Sequence, residues 1–118
     1  MLKSKKVDFT FTDFRGSLTQ LVHSGYEQVN VLVSNAGVVR GGHYHKMATE
    51  CFYVISGSVE VIASQKNEQE KKVFKKGDFF EIEPFIIHSM TFPEDCILVV
   101  LYDKHIELED GSKDIYSA

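Results

Sequence analysis

The residues best equipped for chemistry sit together in GVVRGGHYHKMATECFYVISG, residues 37–57. His43 and His45 are one residue apart there, and Glu50 follows after a short polar stretch. Side chains two apart on an extended strand point to the same side, so both imidazoles can face one interior. A turn at residues 46–49 lets Glu50 join them. His88 is a fourth candidate, on a later apolar run with Met90 and Phe92 at matching parity. Three imidazoles and one carboxylate suit a divalent ion, Mn, Fe, Co, Ni or Zn, and the affinity order alone does not select among them. Without a metal the same imidazoles are acid–base groups that titrate near neutrality. The plainer alternative is a pair of solvent-facing histidines beside an ordinary strand.

Two arginines form a second layer. Arg15 lies in TDFRGSL and Arg40 in VVRGGHYH, each followed by glycine. A guanidinium makes bidentate bonds to phosphate. Arg40 is three residues before His43, so a phosphate-bearing ligand beside the histidines is one expectation. A solvated arginine next to a turn glycine is the other. Tyr44 and Tyr53 could donate protons, but their parity is opposite to the histidines and Glu50, which favours packing on the outer face. His23 and His105 fall in loop-like contexts and read as surface residues.

These groups need a scaffold. Helical periodicity is hard to find. Short β-rich runs dominate, at 7–11, 17–22, 29–34, 51–55, 59–63, 73–74, 79–82, 86–92 and 97–102. Turn signals such as Asn35-Ala36-Gly37, Ser56-Gly57-Ser58 and Lys76-Gly77-Asp78 separate them. Many short strands at regular spacing predict an all-β sandwich or barrel. The run 97–102 is apolar on both alternating faces, whereas a strand with one wet face should alternate. Either the domain covers both sides, or one face meets a second copy.

Composition narrows the function classes. A chain of 118 residues fits one domain. A net charge of -4 argues against nucleic acid as the main partner. The lysines near residues 3–6 and 71–76 stand beside acidic residues and read as solvated faces. No apolar run approaches the ~18 residues that a membrane span needs, and the N-terminal residues lack the apolar core of a signal peptide. A cytoplasmic protein with two reduced thiols, Cys51 and Cys96, is therefore expected.

The histidine stretch resembles the first motif of the cupins, G-x5-H-x-H-x4-E-x6-G. Gly37, His43, His45, Glu50 and Gly57 fill its fixed positions. The second cupin motif, G-x5-P-x-G-x2-H-x3-N, is kept at Gly77 and His88. Its interior departs: Glu83 stands at the proline position with Pro84 one later, Phe85 replaces the glycine, and Phe92 the asparagine. The resemblance implies one cupin-type antiparallel β-barrel (a double-stranded β-helix or jelly roll) over 1–118. The motifs lie at 37–57 and 77–92, and a polar C-terminal tail or short edge hairpin at 103–118. It also implies a metal held by His43, His45, Glu50 and His88, although cupins exist that use these positions without metal.

A narrower resemblance rests on Asp13, Arg15, Gly16 and Leu18, then Arg40, Gly41, His43 and His45. These look like the cupin enzymes that remodel nucleotide-linked sugars: dTDP-4-dehydrorhamnose 3,5-epimerases, dTDP-4-keto-sugar 3,4-ketoisomerases and the C-terminal cupin domain of capsular polysaccharide reductase/epimerases. The likeness implies arginines on the nucleotide diphosphate of a dTDP- or UDP-sugar and proton transfer by the first histidine, His43; His43, His45 and His88 are the expected catalytic residues, and a homodimer is the expected assembly. Such chemistry removes a proton beside a ketone, which needs a base near neutral pH and donors or positive charge for the oxyanion. One conflict stays open: a nitrogen of His43 that binds metal cannot also be the base. Two other functions stay open too, an Fe(II)-dependent dioxygenase and a non-enzymatic small-molecule-binding or sensing module. A transcription-factor role is less expected, since the chain carries no DNA-binding segment beside the barrel.

Overall fold

Alternation along single strands builds the molecule. A computed structural model describes all 118 residues. Its strands are β1 (Leu2–Ser4), β2 (Phe9–Asp13), β3 (Gly16–Gln20), β4 (Gln28–Ser34), β5 (Val39–Tyr44) and β6 (Glu50–Ser56), then β7 (Ser58–Gln65), β8 (Glu68–Lys75), β9 (Phe79–Ile82), β10 (Ile87–Thr91), β11 (Cys96–Tyr102) and β12 (Tyr116–Ser117). In β7, Val59, Val61 and Ala63 are fully buried while their neighbours are partly exposed, the period-2 pattern of a strand with one face on a core. There is no helix.

Two five-stranded antiparallel sheets carry the core, in the orders β1-β9-β6-β11-β4 and β12-β5-β10-β7-β8. Phe52, Phe74 and Phe80 stack at its centre, among Val54, Val59, Val61, Phe92 and Leu98. Each such side chain contributes about 1.5–3 kcal/mol by leaving water. The cupin motif glycine Gly57 makes the turn from β6 to β7 with φ +78°, and a Cβ there would lie 2.1 Å from the carbonyl oxygen of Asp95. No residue with a side chain fits that crossing.

Strands β1, β5 and β12 escape periodicity. β5 reads Val-Arg-Gly-Gly-His-Tyr, with no buried apolar residue; its inner face lines a cavity instead of filling a core. Gly41 explains part of that composition. Its φ is +104°, and a Cβ would lie 2.7 Å from the carbonyl oxygen of His88, where β5 and β10 shift register. Phe85, at the position of a cupin glycine, keeps the left-handed backbone (φ +66°) at a cost of order 1–2 kcal/mol. Its ring stacks on Tyr44.

The segment 103–118 is not a free polar tail. Ile106 and Asp114 are buried, Glu107 and Lys113 form a β-bridge, and β12 pairs with β5 through Tyr116 to Tyr44 and Ser117 to His43. Tyr116 stacks on Tyr44 at 5.5 Å, and the Lys46 ammonium lies over the Tyr116 ring at 4.1 Å. Of the two readings of 103–118 the short edge hairpin is the one observed, and the anchors of this strap are one aspartate, one isoleucine and one tyrosine.

The apolar run 97–102 meets cover on both sides, but the second side is incomplete. Leu98 and Val100 face the main core. Val99 and Leu101 face outward with Cys51 and Phe79, under Val7, Leu21, Val22 and Tyr26. Beyond them Val29, Val31 and Val33 of the edge strand β4 are 60–67% exposed. The β2–β3 hairpin pairs with no other strand, and it exposes Phe9, Phe11, Phe14 and Leu18.

Candidate active site

Three elements bring the four candidate donors together. β5 carries His43 and delivers His45 just beyond its end, β6 begins at Glu50, and β10 places His88 opposite His43 in the ladder. One ligand atom from each of His43, His45, Glu50 and His88 lies within 4.8 Å of the others. The fold thus brings together four side chains that are up to 45 positions apart in sequence.

Hydrogen bonds assign the ring nitrogens. His45 Nδ1 donates to the Asp114 carbonyl at 2.6 Å, and His88 Nδ1 donates to the Ile86 carbonyl at 3.0 Å. A carbonyl only accepts, so both Nδ1 atoms carry hydrogen. The Nε2 atoms then converge on one oxygen, Glu50 Oε1, at 3.1 Å from His45 and 3.2 Å from His88. Two imidazole lone pairs against a carboxylate lone pair would repel. Positive charge must lie among them, as protons on the rings or as a cation. Burial pushes the Glu50 carboxyl up, but the bonds from His45 and His88 and their charge hold it down at about 2. Burial pulls His45 down, and its bond to Glu50 and the charge there raise it overall.

His43 stands apart from that set. It touches the rings of His45 and His88 edge-on, with centroids 5.2 and 4.7 Å away, and makes no hydrogen bond to Glu50. Burial, then the charge of His88, lowers its pKa, which favours the neutral ring.

A cavity of about 550 Å³ opens over these groups. Arg40, His43, His45, Glu50, His88 and Tyr102 give its polar lining, while residues 29–32 of β4 form one lip and Ile115 of the strap a wall. Arg40 is anchored through Nε to the Ser34 hydroxyl at 3.2 Å, and no carboxylate pairs with it, so its terminal nitrogens remain for an anion. Arg15 is not at this cavity. It sits at the turn of the β2–β3 hairpin, 73% exposed, held to Asp13 at 2.6 Å. A tight hairpin directs it away from its own barrel.

Two further groups belong to the site, Tyr102 in the cavity lining and Asp114 behind His45. Tyr102 shares the inward parity of Leu98 and Val100, a signal present in the run itself. Burial and the Glu50 charge push its phenol well above the usual range, so it stays protonated as a donor. Asp114 gave no local signal. Tyr44 and Tyr53 do pack outside, against Phe85 and Tyr116 and against Phe79. His23 and His105 pair with Asp8 and Glu27 at the surface. No helix is long and apolar enough to cross a membrane.

Comparison with known proteins follows the same lines. Residues 11–113 match the family model described as the polysaccharide biosynthesis C-terminal domain. The chain belongs to this family. No curated protein sequence matches it. Among solved structures this family member is similar to the 3,4-ketoisomerase QdtA from Thermoanaerobacterium thermosaccharolyticum in complex with TDP. The TM-score is 0.79 at 20% identity, over 100% of this chain and 87% of that one. It is also similar to the TDP-quinovose 3,4-ketoisomerase WlaRB from Campylobacter jejuni, with TM-score 0.84 and 19% identity over 99% and 92%. A dTDP-4-dehydrorhamnose 3,5-epimerase from Sulfolobus tokodaii follows, with TM-score 0.71 and 21% identity over 92% and 78%. These likenesses establish the cupin fold of the polysaccharide biosynthesis domain.

Proposed function

We propose that this polysaccharide biosynthesis domain is an isomerase of nucleotide-linked keto-sugars, moving a proton between carbons beside and at the ketone. The observation that carries the reading is His43, without a hydrogen bond to Glu50, in a cavity that also presents Arg40 and Tyr102. The free nitrogen of His43 takes the proton from the carbon next to the ketone. The electron pair moves to the ketone oxygen, giving an enediolate, and His43 returns the proton to the former carbonyl carbon. The hydroxyl proton of the first carbon passes to the new alkoxide through Tyr102, so the ketone has shifted by one position. Arg40 binds the diphosphate. Solved relatives crystallised with TDP and with TDP-4-keto-6-deoxyglucose support this substrate class.

The donor set fits a divalent cation. Nε2 to Oε1 separations of 3.1 and 3.2 Å suit ligands about 2.1 Å from one ion, and both histidines have the Nδ1–H to carbonyl bond usual for metal ligands. His45, Glu50 and His88 would hold the ion, two imidazoles and a carboxylate, leaving His43 for proton transfer. On this reading the roles are divided, with His43 outside the ligand set. A metal there would polarise the ketone oxygen as a Lewis acid. Elemental analysis of protein purified without chelator is expected to give about one divalent metal per chain, and His88→Ala to lose it. A metal-free wild type that binds no added Zn, Mn, Fe, Co or Ni would show that protons supply the positive charge.

The working unit is a homodimer that completes the site. The exposed hairpin and the uncovered valines of β4 together offer on the order of 800 Å² of apolar side chain, using roughly 200 Å² per aromatic residue. That equals one partner's share of a standard interface. A second copy whose hairpin lies along β4 would cover both surfaces at once, and β4 is the lip of the cavity. Arg15 would then reach the partner's site. Mixed dimers test this. Arg15→Ala and His43→Asn are each expected to be nearly inactive, and an equimolar, subunit-exchanged mixture to regain about a quarter of wild-type activity. A mixture no more active than the mean of its parents, or a monomer in solution, would contradict it.

A further inference from the structure

Asp114 is a buried carboxylate, 1% exposed, far from the motifs in sequence. Its Oδ1 accepts the backbone N–H of Lys46 at 2.8 Å, and its Oδ2 accepts those of Met47 and Ala48 at 3.0 Å each. Its own carbonyl accepts the Nδ1–H of His45 at 2.6 Å. One residue thus binds the whole turn between His45 and Glu50 and one of the rings that the turn presents. Asp103 holds the end of the same turn through the N–H of Thr49 at 2.7 Å.

We propose that Asp114 is a positioning residue: the C-terminal strap, through Asp114, sets the ring orientation of His45 and the approach of Glu50. The physical case is satisfaction of donors. Residues 46–48 lie in a turn and have no ladder partner for their N–H groups; those of Lys46 and Met47 are part-buried, that of Ala48 is buried, and a buried N–H without an acceptor costs about 1–3 kcal/mol. A carboxylate supplies the acceptors for all three, which a serine or an amide cannot match in number and charge. With the turn fixed, the direction of His45 Nε2 toward Glu50 follows, because the other nitrogen is held by the carbonyl of the same residue. Ile115 comes next and forms a wall of the cavity, so strap docking and site geometry are one event. The ladder of Tyr44, Tyr116 and Lys46 seals the outside of the strap.

The test reads His45 itself, because the role in catalysis rests on the isomerase reading above. In ¹⁵N-labelled wild type, His45 is expected to be Nδ1-protonated with a ring N–H protected from solvent exchange. In Asp114→Asn, which keeps one acceptor oxygen and the residue's shape, exchange of that proton is expected to rise at least ~10-fold. Affinity for added Zn²⁺ should fall by about 10–100-fold, the usual loss when a partner behind a ligand is changed. TDP affinity should hold within about threefold, since Arg40 is untouched. Asp114→Ala serves as the second variant, with melting measured alongside. A wild-type His45 whose Nδ1 carries no proton would overturn the proposal. So would an Asp114→Asn protein that loses melting temperature but keeps the His45 proton equally protected. Wild type that binds no TDP would sink the isomerase reading instead, leaving the ring-proton result to decide on Asp114.

Discussion

Replacing His43 by asparagine is expected to lower kcat about 10²–10⁴-fold, the range for a lost general base, while TDP affinity stays within about threefold. Asparagine is close in size and polar, but it cannot accept a proton near pH 7. The other three donors are locked by bonds to Glu50, Asp114 and Ile86, so none is free to replace His43. His43 is also the least buried of the four, and the stability cost of the change should be small. Single-turnover rates and calorimetric titration with TDP check the two halves separately. A kcat within tenfold of wild type would remove His43 from the chemistry.

Arg40→Ala should act in the opposite sense, weakening TDP binding by about 10–150-fold, which is the loss of roughly 1.5–3 kcal/mol from hydrogen bonds to a charged group. The guanidinium is held in place by Ser34, which is itself buried. Arg40→Lys keeps the charge but not the fork, and should recover only part of the affinity. Because Ser34 loses its partner in the alanine variant, melting has to be followed beside binding. Unchanged TDP affinity in folded Arg40→Ala would place the diphosphate elsewhere.

The donor cluster was legible because a strand makes parity visible. His43 and His45 share a side for the same reason that Val59 and Val61 do, and Gly57 marks a crossing where no side chain fits. The metal question was not legible at that level. It turns on whether protons or a cation lie between the Nε2 atoms and Glu50, and the Nδ1 bonds to the carbonyls of Ile86 and Asp114 that aim those atoms are ones no spacing rule finds. β5 showed only in its histidines, because its inner face lines a cavity and carries no apolar period. The strap was hidden because its anchor is a polar residue whose partners are backbone N–H groups 66–68 positions away. Arg15 was found by type but not by place. It lies at the turn of a short hairpin, exposed and paired with Asp13.

The central claim is proton movement by His43 beside a ketone on a nucleotide-linked sugar. ¹H NMR of TDP-4-keto-6-deoxyglucose in D₂O with purified protein tests it most directly. The account predicts conversion to the 3-keto isomer, or solvent deuterium at C3 or C4, with wild type and with neither in His43→Asn. A wild-type protein that binds TDP-4-keto-6-deoxyglucose and TDP with no saturation, and leaves every ring proton unexchanged, would contradict it.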